Sequence, residues 1–152
     1  NVALFARHGV YTRTEIQSRQ DINMEEYAKI IHIEALTLID MLGKLIVPAC
    51  AAYSSKLAEG VAAKAGIGVD APAEAAQVRL LTEKTAELIE RTERLKAVVA
   101  AEPEELNARA MDEHEAVIPA MEAARQVADE LEGRVGKEYW PMPSYADLLF
   151  YV

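Results

Sequence analysis

Residues 78–99 read VRLLTEKTAELIERTERLKAVV, and this stretch decides the fold class. Its apolar or small positions alternate at spacings of three and four residues, while most of the other positions are charged. Such a sustained heptad predicts a long amphipathic helix that packs against other helices. The predicted inward positions are Val78, Leu81, Thr85, Leu88, Thr92, Leu95 and Val99.

The breaks on either side of the heptad divide the chain into three long helices. A glycine-rich loop ends before Pro72, and Pro103 follows a second break. We therefore predict helix 1 over residues 13–65, helix 2 over 72–101 and helix 3 over 103–134. Short loops between long helices make neighbours antiparallel, so the expected fold is an all-α, long antiparallel three-helix bundle.

Helix 1 has a start signal and an interruption. Thr12 and Glu15 match a capping box, in which each side chain accepts a hydrogen bond from the other residue's amide. Residues 1–12 are predicted to be irregular. Pro48 lacks an amide hydrogen and clashes with the preceding turn, so we expect helix 1 to be kinked near it.

Helix 3 carries a stripe of similar period but of smaller side chains. Several of its inward positions are alanine, which permits close helix approach but buries less area per turn. The predicted inward positions are Ala110, His114, Val117, Met121, Ala124, Ala128, Leu131 and Val135.

The middle of helix 1 is apolar on more sides than a thin bundle can cover. A helix that is apolar most of the way round is buried on more than one side. Aromatic residues concentrate in the tail, residues 137–152, where prolines favour extended chain before a short last helix. This tail either folds back over the bundle or docks against another domain. The candidate interface residues are Ile33, Leu38, Leu42, Tyr139, Trp140 and Phe150.

The charge distribution disfavours several classes of partner. The net charge of −9 lies entirely in residues 67–152, which hold nine basic and eighteen acidic residues. Such a surface disfavours nucleic acid and anionic lipid as partners, and no apolar run is long enough to span a membrane. Cys50 is the single cysteine, so no intramolecular disulfide can form, which fits a reducing cytoplasm.

No combination of residues forms a complete catalytic, cofactor or metal site. His114-Glu115 lacks the second histidine of the zinc-protease motif, and neither His32 nor His114 has the glutamate three residues earlier that di-metal bundles use. We interpret His114 as a core or boundary residue, Cys50 as a small core residue and Glu34 as a carboxylate paired with a neighbouring cation. The sequence therefore predicts no catalytic, cofactor-binding or metal-binding residue here.

Both ends of the chain resemble the C-terminal region of type III glutamine synthetases. The residues that carry the resemblance are HGVYT at 8–12, EALT at 34–37, IDM at 39–41, GKEYWP at 136–141 and YADLLF at 145–150. The acidic middle of the chain matches only in helical character.

The resemblance implies a parent enzyme that makes glutamine from glutamate, ammonia and ATP with magnesium or manganese, and that forms large homo-oligomers. In that family the catalytic groups lie upstream, so no catalytic residue is carried over. The implied role is a C-terminal module that packs on the catalytic domain or a neighbouring subunit. The first residue, Asn1, fits an excised piece of a longer polypeptide.

Two other functions remain open from the sequence. An independent coiled-coil adaptor would bind partner helices in a free groove along the heptad faces. A small-molecule or metal sensor would bind its ligand in the bundle core and gain thermal stability from it.

Overall fold

The computed structural model describes residues 2–143 and 145–149, and within these ranges every regular element is helical. This confirms the predicted all-α class. None of the helices described combines the length and the apolar character needed to cross a membrane. The α-helices are α1 (Val2–Arg7), α2 (Arg13–Met41), α3 (Val47–Gly66), α4 (Pro72–Ala100), α5 (Leu106–Asp112), α6 (Ile118–Glu132) and α7 (Tyr145–Leu149), and π-helical turns at Leu42–Ile46 and Glu113–Val117 join α2 to α3 and α5 to α6.

Each π turn ends two residues before a proline. Pro48 follows the first turn and Pro119 the second. In the first turn the amide of Val47 bonds to the carbonyl of Leu42, five residues earlier. A proline removes one backbone hydrogen bond and crowds the turn before it, and a wider turn accommodates both effects. The interruption expected at Pro48 therefore takes the form of a π turn.

The start of α2 is capped as the sequence predicted. The amide of Glu15 donates to the hydroxyl of Thr12 at 3.2 Å, and the amide of Thr12 donates to the carboxylate of Glu15 at 2.7 Å. These reciprocal bonds satisfy donors that the first turn of a helix leaves free. They lower the pKa of Glu15, because the hydrogen bonds from Thr12 favour the charged carboxylate.

The prediction of an irregular segment over residues 1–12 is wrong for Val2–Arg7, which form helix α1. The ring of Phe5 meets the ring of Tyr11 edge to face, with the centroids 5.9 Å apart. Because a six-residue helix is unstable alone, we attribute α1 to contacts of this kind with the chain that follows it.

Helix α5 begins later than the predicted start of helix 3 at residue 103. Glu105 is extended, and its carboxylate accepts hydrogen bonds from the amides of Asn107 and Ala108 at 3.0 and 2.7 Å. The N-cap is therefore Glu105 rather than a residue beside Pro103, which leaves residues 101–105 as a connection.

The core lies where α4 meets the first π turn, α3 and α6. The stripe of α4 faces inward as the heptad predicted, with Leu81, Leu88 and Leu95 buried completely. Tyr139 and Trp140 from the tail cover one side of this core. The larger of two buried clusters consists of Leu42, Ile46, Cys50, Leu81, Leu88, Ala124, Val127, Ala128, Leu131 and Val135.

The thiol of Cys50 is a probe of this core. Cys50 is fully buried, and burial raises the pKa of its thiol. We expect a thiol reagent at mildly alkaline pH to label the native chain more than about a hundredfold more slowly than the chain in concentrated guanidinium chloride, because labelling requires opening of the core. The measurement is the labelling rate followed by mass spectrometry. Comparable rates in the two conditions would contradict the buried placement.

Candidate functional site

A histidine and two glutamates from three separate elements meet at one end of the core. His32 lies on α2, Glu102 lies in the 101–105 connection, and Glu113 is the first residue of the second π turn. Pro103 helps to end the preceding helix, because the residue before a proline is disfavoured in the helical conformation. The π turn places Glu113 inward. We call these three residues the His–Glu–Glu cluster.

The ligand atoms of this cluster lie close together. The Nδ1 atom of His32 is 3.5 Å from Oε2 of Glu102 and 3.8 Å from Oε1 of Glu113. All three ligand atoms lie within 4.8 Å of one another. The guanidinium of Arg109 on α5 forms an ion pair with Glu102, its Nε atom lying 2.9 Å from Oε1, so one oxygen of this carboxylate is held and the other is directed towards His32.

Glu113 is the most unusual group of the cluster. It is only 1% exposed, and burial raises the pKa of its carboxyl group. The neighbouring His32 opposes this shift, while the nearby carboxylates of Glu102 and Asp112 add to it. Among the described residues, none donates a hydrogen bond to either carboxylate oxygen of Glu113. A buried carboxylate in this state is unstable unless a proton or a cation neutralises it.

The sequence pointed to none of these three residues as a ligand. His32 lies far from the two glutamates along the chain, and no glutamate stands three residues before it to suggest a metal motif. One signal was available. If the helices before and after the loop that follows α3 form an antiparallel hairpin, residue 32 lies opposite about residue 106. The chain break after Glu102 is then expected to lie near His32.

A second feature is a groove of about 650 Å³ between the N-terminal half of α2 and the end of α5. Its lining is mostly apolar, and Arg19 covers the ring of Tyr11 at 4.7 Å from the centroid. The residues that line this N-terminal groove are Phe5, Tyr11, Ile16, Arg19, Gln20, Asn23, Met24, Tyr27, Ala110, Met111 and His114.

The candidate interface residues on helix 1 occupy three different environments. Ile33 is 62% exposed, as an interface residue should be. Leu38 is half-buried and packs against both core clusters. Leu42 is fully buried in the core of this chain, so its assignment to an interface is corrected, because no surface of Leu42 is available to a partner.

The candidate interface residues in the tail divide in a similar way. Tyr139 and Trp140 are half-buried against the core, and the ring centroid of Tyr139 is 5.2 Å from that of Tyr53. Phe150 lies outside the described residues. Leu148 and Leu149 of α7 are largely exposed, so the first part of the tail folds back on the core and α7 presents apolar side chains to solvent.

His114 and Glu34 also differ from their predicted environments. His114 was expected at a core or boundary position but is exposed in the N-terminal groove. The inward position belongs to Glu113, because the π turn changes the phase of the helix. Glu34 is exposed on α2, where it lines a small groove with Arg125 and Met121.

The fold and its surface define an all-helical domain with an apolar outer face. Residues 1–65 match the model of the family described as the glutamine synthetase C-terminal domain. Over these residues the chain is similar to the glutamine synthetase C-terminal domain family, and the resemblance found in its sequence is confirmed.

The similarity to glutamine synthetases extends over nearly the whole chain. The type-3 glutamine synthetase of Dictyostelium discoideum is 31% identical over 159 aligned residues, covering 99% of this chain and 22% of that protein. A glutamine synthetase of Butyrivibrio fibrisolvens gives the same identity and the same two coverages. That of Bacteroides fragilis (strain YCH46) is 27% identical, covering 93% of this chain and 20% of that protein. The chain thus spans about a fifth of the relatives it matches.

Proposed function

We propose that this chain is a non-catalytic helical domain of a larger glutamine synthetase, and that it packs domains together and assembles the oligomer. The observation that carries this proposal is an exposed apolar stripe on α2, formed by Tyr27, Ile30, Ile33 and Leu36. Each member is three residues from the next, so the side chains are neighbours on the helix surface. Tyr27 also lines the N-terminal groove, which makes the stripe and the groove one continuous surface.

The size of this surface supports docking onto a protein partner. Burial of a large aliphatic side chain contributes about 1.5–3 kcal/mol, so covering the stripe is strongly favourable. Soluble monomers seldom leave a contiguous apolar patch of this kind in water. The partner we propose is the catalytic domain of the same polypeptide, presented by a neighbouring subunit of the oligomer, because the relatives are about five times as long as this chain.

The proposed parent enzyme joins ammonia to glutamate at the expense of ATP, with magnesium or manganese as the metal. We place these cofactors and the catalytic residues in the remainder of the polypeptide. We further propose a cytoplasmic homo-oligomer, in which the acidic surface of α4 and α6 faces solvent and the α2 stripe faces a domain or subunit.

We also propose that the three long helical segments form one antiparallel bundle. His32 meets Glu102, and the hydroxyls of Ser54 and Thr82 lie 3.3 Å apart. As the residue number rises along α2 and α3, the number of its partner falls, as expected for antiparallel neighbours. Lys84 of α4 bonds to Glu130 of α6 at 2.8 Å, which supports the third helix beside them.

The heptad of α4 argues against the adaptor hypothesis. An adaptor needs a free groove along its heptad face. The heptad positions of α4 from Leu81 to Val99 instead point into the core of this chain, and Leu88, Thr92 and Leu95 are buried there. The exposed stripe on α2 is therefore the better docking surface.

The test is a matched pair of aspartate variants in the natural polypeptide that carries this sequence. Ile33→Asp places a charge in the proposed interface, and Ile89→Asp places it on α4, where Ile89 is 45% exposed. We expect Ile33→Asp to weaken association about a hundredfold or more, which corresponds to roughly 3 kcal/mol. The measurement is the oligomer mass by native mass spectrometry across a dilution series.

The control variant, Ile89→Asp, should retain the oligomer. Leu38→Asp is not a suitable test, because Leu38 packs against the core and its replacement would unfold the domain itself. If Ile33→Asp assembles as tightly as Ile89→Asp, the α2 stripe is not the assembly surface and the proposal fails.

A further inference from the structure

We propose that the His–Glu–Glu cluster of His32, Glu102 and Glu113 binds a divalent transition-metal ion of the zinc type. This site is separate from the chemistry of the parent enzyme, because it is built entirely within the helical domain. It would be a structural site that ties α2 to the 101–105 connection and the second π turn.

The spacing of the ligand atoms fits a tetrahedral ion. Zinc lies about 2.1 Å from nitrogen and oxygen ligands, so two ligands of a tetrahedral site are ~3.4 Å apart. The Nδ1 atom of His32 is 3.5 Å from Oε2 of Glu102 and 3.8 Å from Oε1 of Glu113. Shifts of a few tenths of an ångström would bring both pairs to the spacing of zinc ligands. Three protein ligands leave a fourth position for water.

Buried polar atoms directed into the cluster provide an independent reason to expect a ligand. Glu113 is 1% exposed, and neither of its carboxylate oxygens receives a hydrogen bond from the described residues. The Nδ1 atom of His32 is likewise buried without a hydrogen-bond partner among them. Buried polar atoms normally have partners, because each one left without a partner destabilises the fold. One cation would satisfy these atoms together.

The surroundings match those of a metal site. Arg109 forms an ion pair with Oε1 of Glu102, and its Nε donates a hydrogen bond to the carbonyl of Pro103 at 3.2 Å, so the guanidinium is held where it orients the Glu102 carboxylate. Such outer contacts hold metal ligands in position in known sites. With a neutral histidine, the two carboxylates and the guanidinium carry a net charge of −1, so a divalent cation leaves the group near neutrality.

The donor set decides which ion is expected. An imidazole nitrogen with two carboxylate oxygens suits zinc and its first-row neighbours. Calcium and magnesium take oxygen ligands and larger coordination numbers. We therefore expect zinc to bind more tightly than calcium or magnesium.

The experiment counts zinc in the natural polypeptide and in two matched pairs of variants. Glu113→Gln is paired with Glu115→Gln, an exposed glutamate of the same π turn, and His32→Asn is paired with the exposed His114→Asn. Each protein is stripped with a chelator, loaded with zinc and freed of excess by gel filtration. Elemental analysis gives zinc per chain. Metal sites elsewhere in the polypeptide are the same in all five proteins, so differences report this cluster.

We expect the unmodified protein and both controls to retain one more zinc ion per chain than the Glu113→Gln and His32→Asn variants retain. Zinc affinity at this site should fall at least tenfold in those two variants, since loss of even an outer contact costs about that much. Cobalt in place of zinc should give the visible absorption of a tetrahedral site in the unmodified protein and the two controls, but not in Glu113→Gln or His32→Asn. Circular dichroism of the stripped proteins checks that the variants fold.

Equal zinc content in all five proteins would overturn the proposal. It would mean that Glu113 is neutralised by a proton alone. Glu113→Gln is a conservative test, because it removes a buried charge without changing the shape of the side chain. If that variant failed to fold, His32→Asn, at a half-buried position, would still decide between the two outcomes.

Discussion

Replacing Leu88 by alanine should lower the free energy of unfolding by about 2–5 kcal/mol. Leu88 is fully buried at the middle of α4, among residues of the first π turn, α3 and α6. Truncation removes apolar contacts and leaves a cavity, which the rigid helices around it cannot close. The measurement is urea unfolding of the 152-residue chain followed by circular dichroism.

The matched control for this prediction is the next residue. Ile89 is 45% exposed, so Ile89→Ala should change the free energy of unfolding by less than about 0.5 kcal/mol. Both substitutions remove a branched aliphatic side chain from the same helix, so differences in helix propensity nearly cancel. Similar losses for the two variants would show that α4 does not face the core along its heptad.

The α4 stripe was predictable because it depends on a local signal. A heptad repeated over residues 78–99 gives a consistent inward face, and every one of its seven positions is buried or half-buried. The capping box at Thr12 was predictable for the same reason, since its two partners are three residues apart. Where the hydrogen bonds and the hydrophobic periodicity involve residues that are close together in the chain, the sequence is sufficient to predict the local structure.

The environments of Glu113 and His114 were not predictable from period alone. A stripe drawn at ordinary helical spacing placed His114 inward, but the π turn moves that position to Glu113. Nothing in the local pattern distinguishes a glutamate that faces solvent from one that faces the core. Pro119 follows this turn by two residues, but a proline alone does not reveal that the turn before it is π-helical.

Leu42 shows the limit of inferring an interface from an apolar helix. Helix 1 is apolar on several sides, but its sequence does not say which side faces the remainder of its own chain. The structure places Leu42 in the core and Ile33 on the surface. Which apolar side chains remain for a partner depends on how α4 and α6 pack, and such long-range packing is not encoded in the pattern of one helix.

The second large effect concerns the alanines of helix 3. Ala124 on α6 is completely buried in the same cluster as Leu88 and Ala128. Replacing Ala124 by leucine should lower the free energy of unfolding by about 1–3 kcal/mol, because the added carbons must displace helices that are already in contact. The measurement is again urea unfolding of the 152-residue chain. The slope of the unfolding free energy against urea concentration should match that of the unmodified chain, because a changed slope would mean that the unfolding transition itself has changed.

Ala123 provides the control, since it is half-buried and lines a groove between α4 and α6. A leucine at residue 123 can extend into that groove, so Ala123→Leu should change the free energy of unfolding by less than about 0.5 kcal/mol. The two variants add the same atoms at adjacent positions and differ only in the space available. If Ala124→Leu is tolerated as well as Ala123→Leu, α6 does not approach its neighbours closely, and the alanines of helix 3 do not set the spacing of the helices.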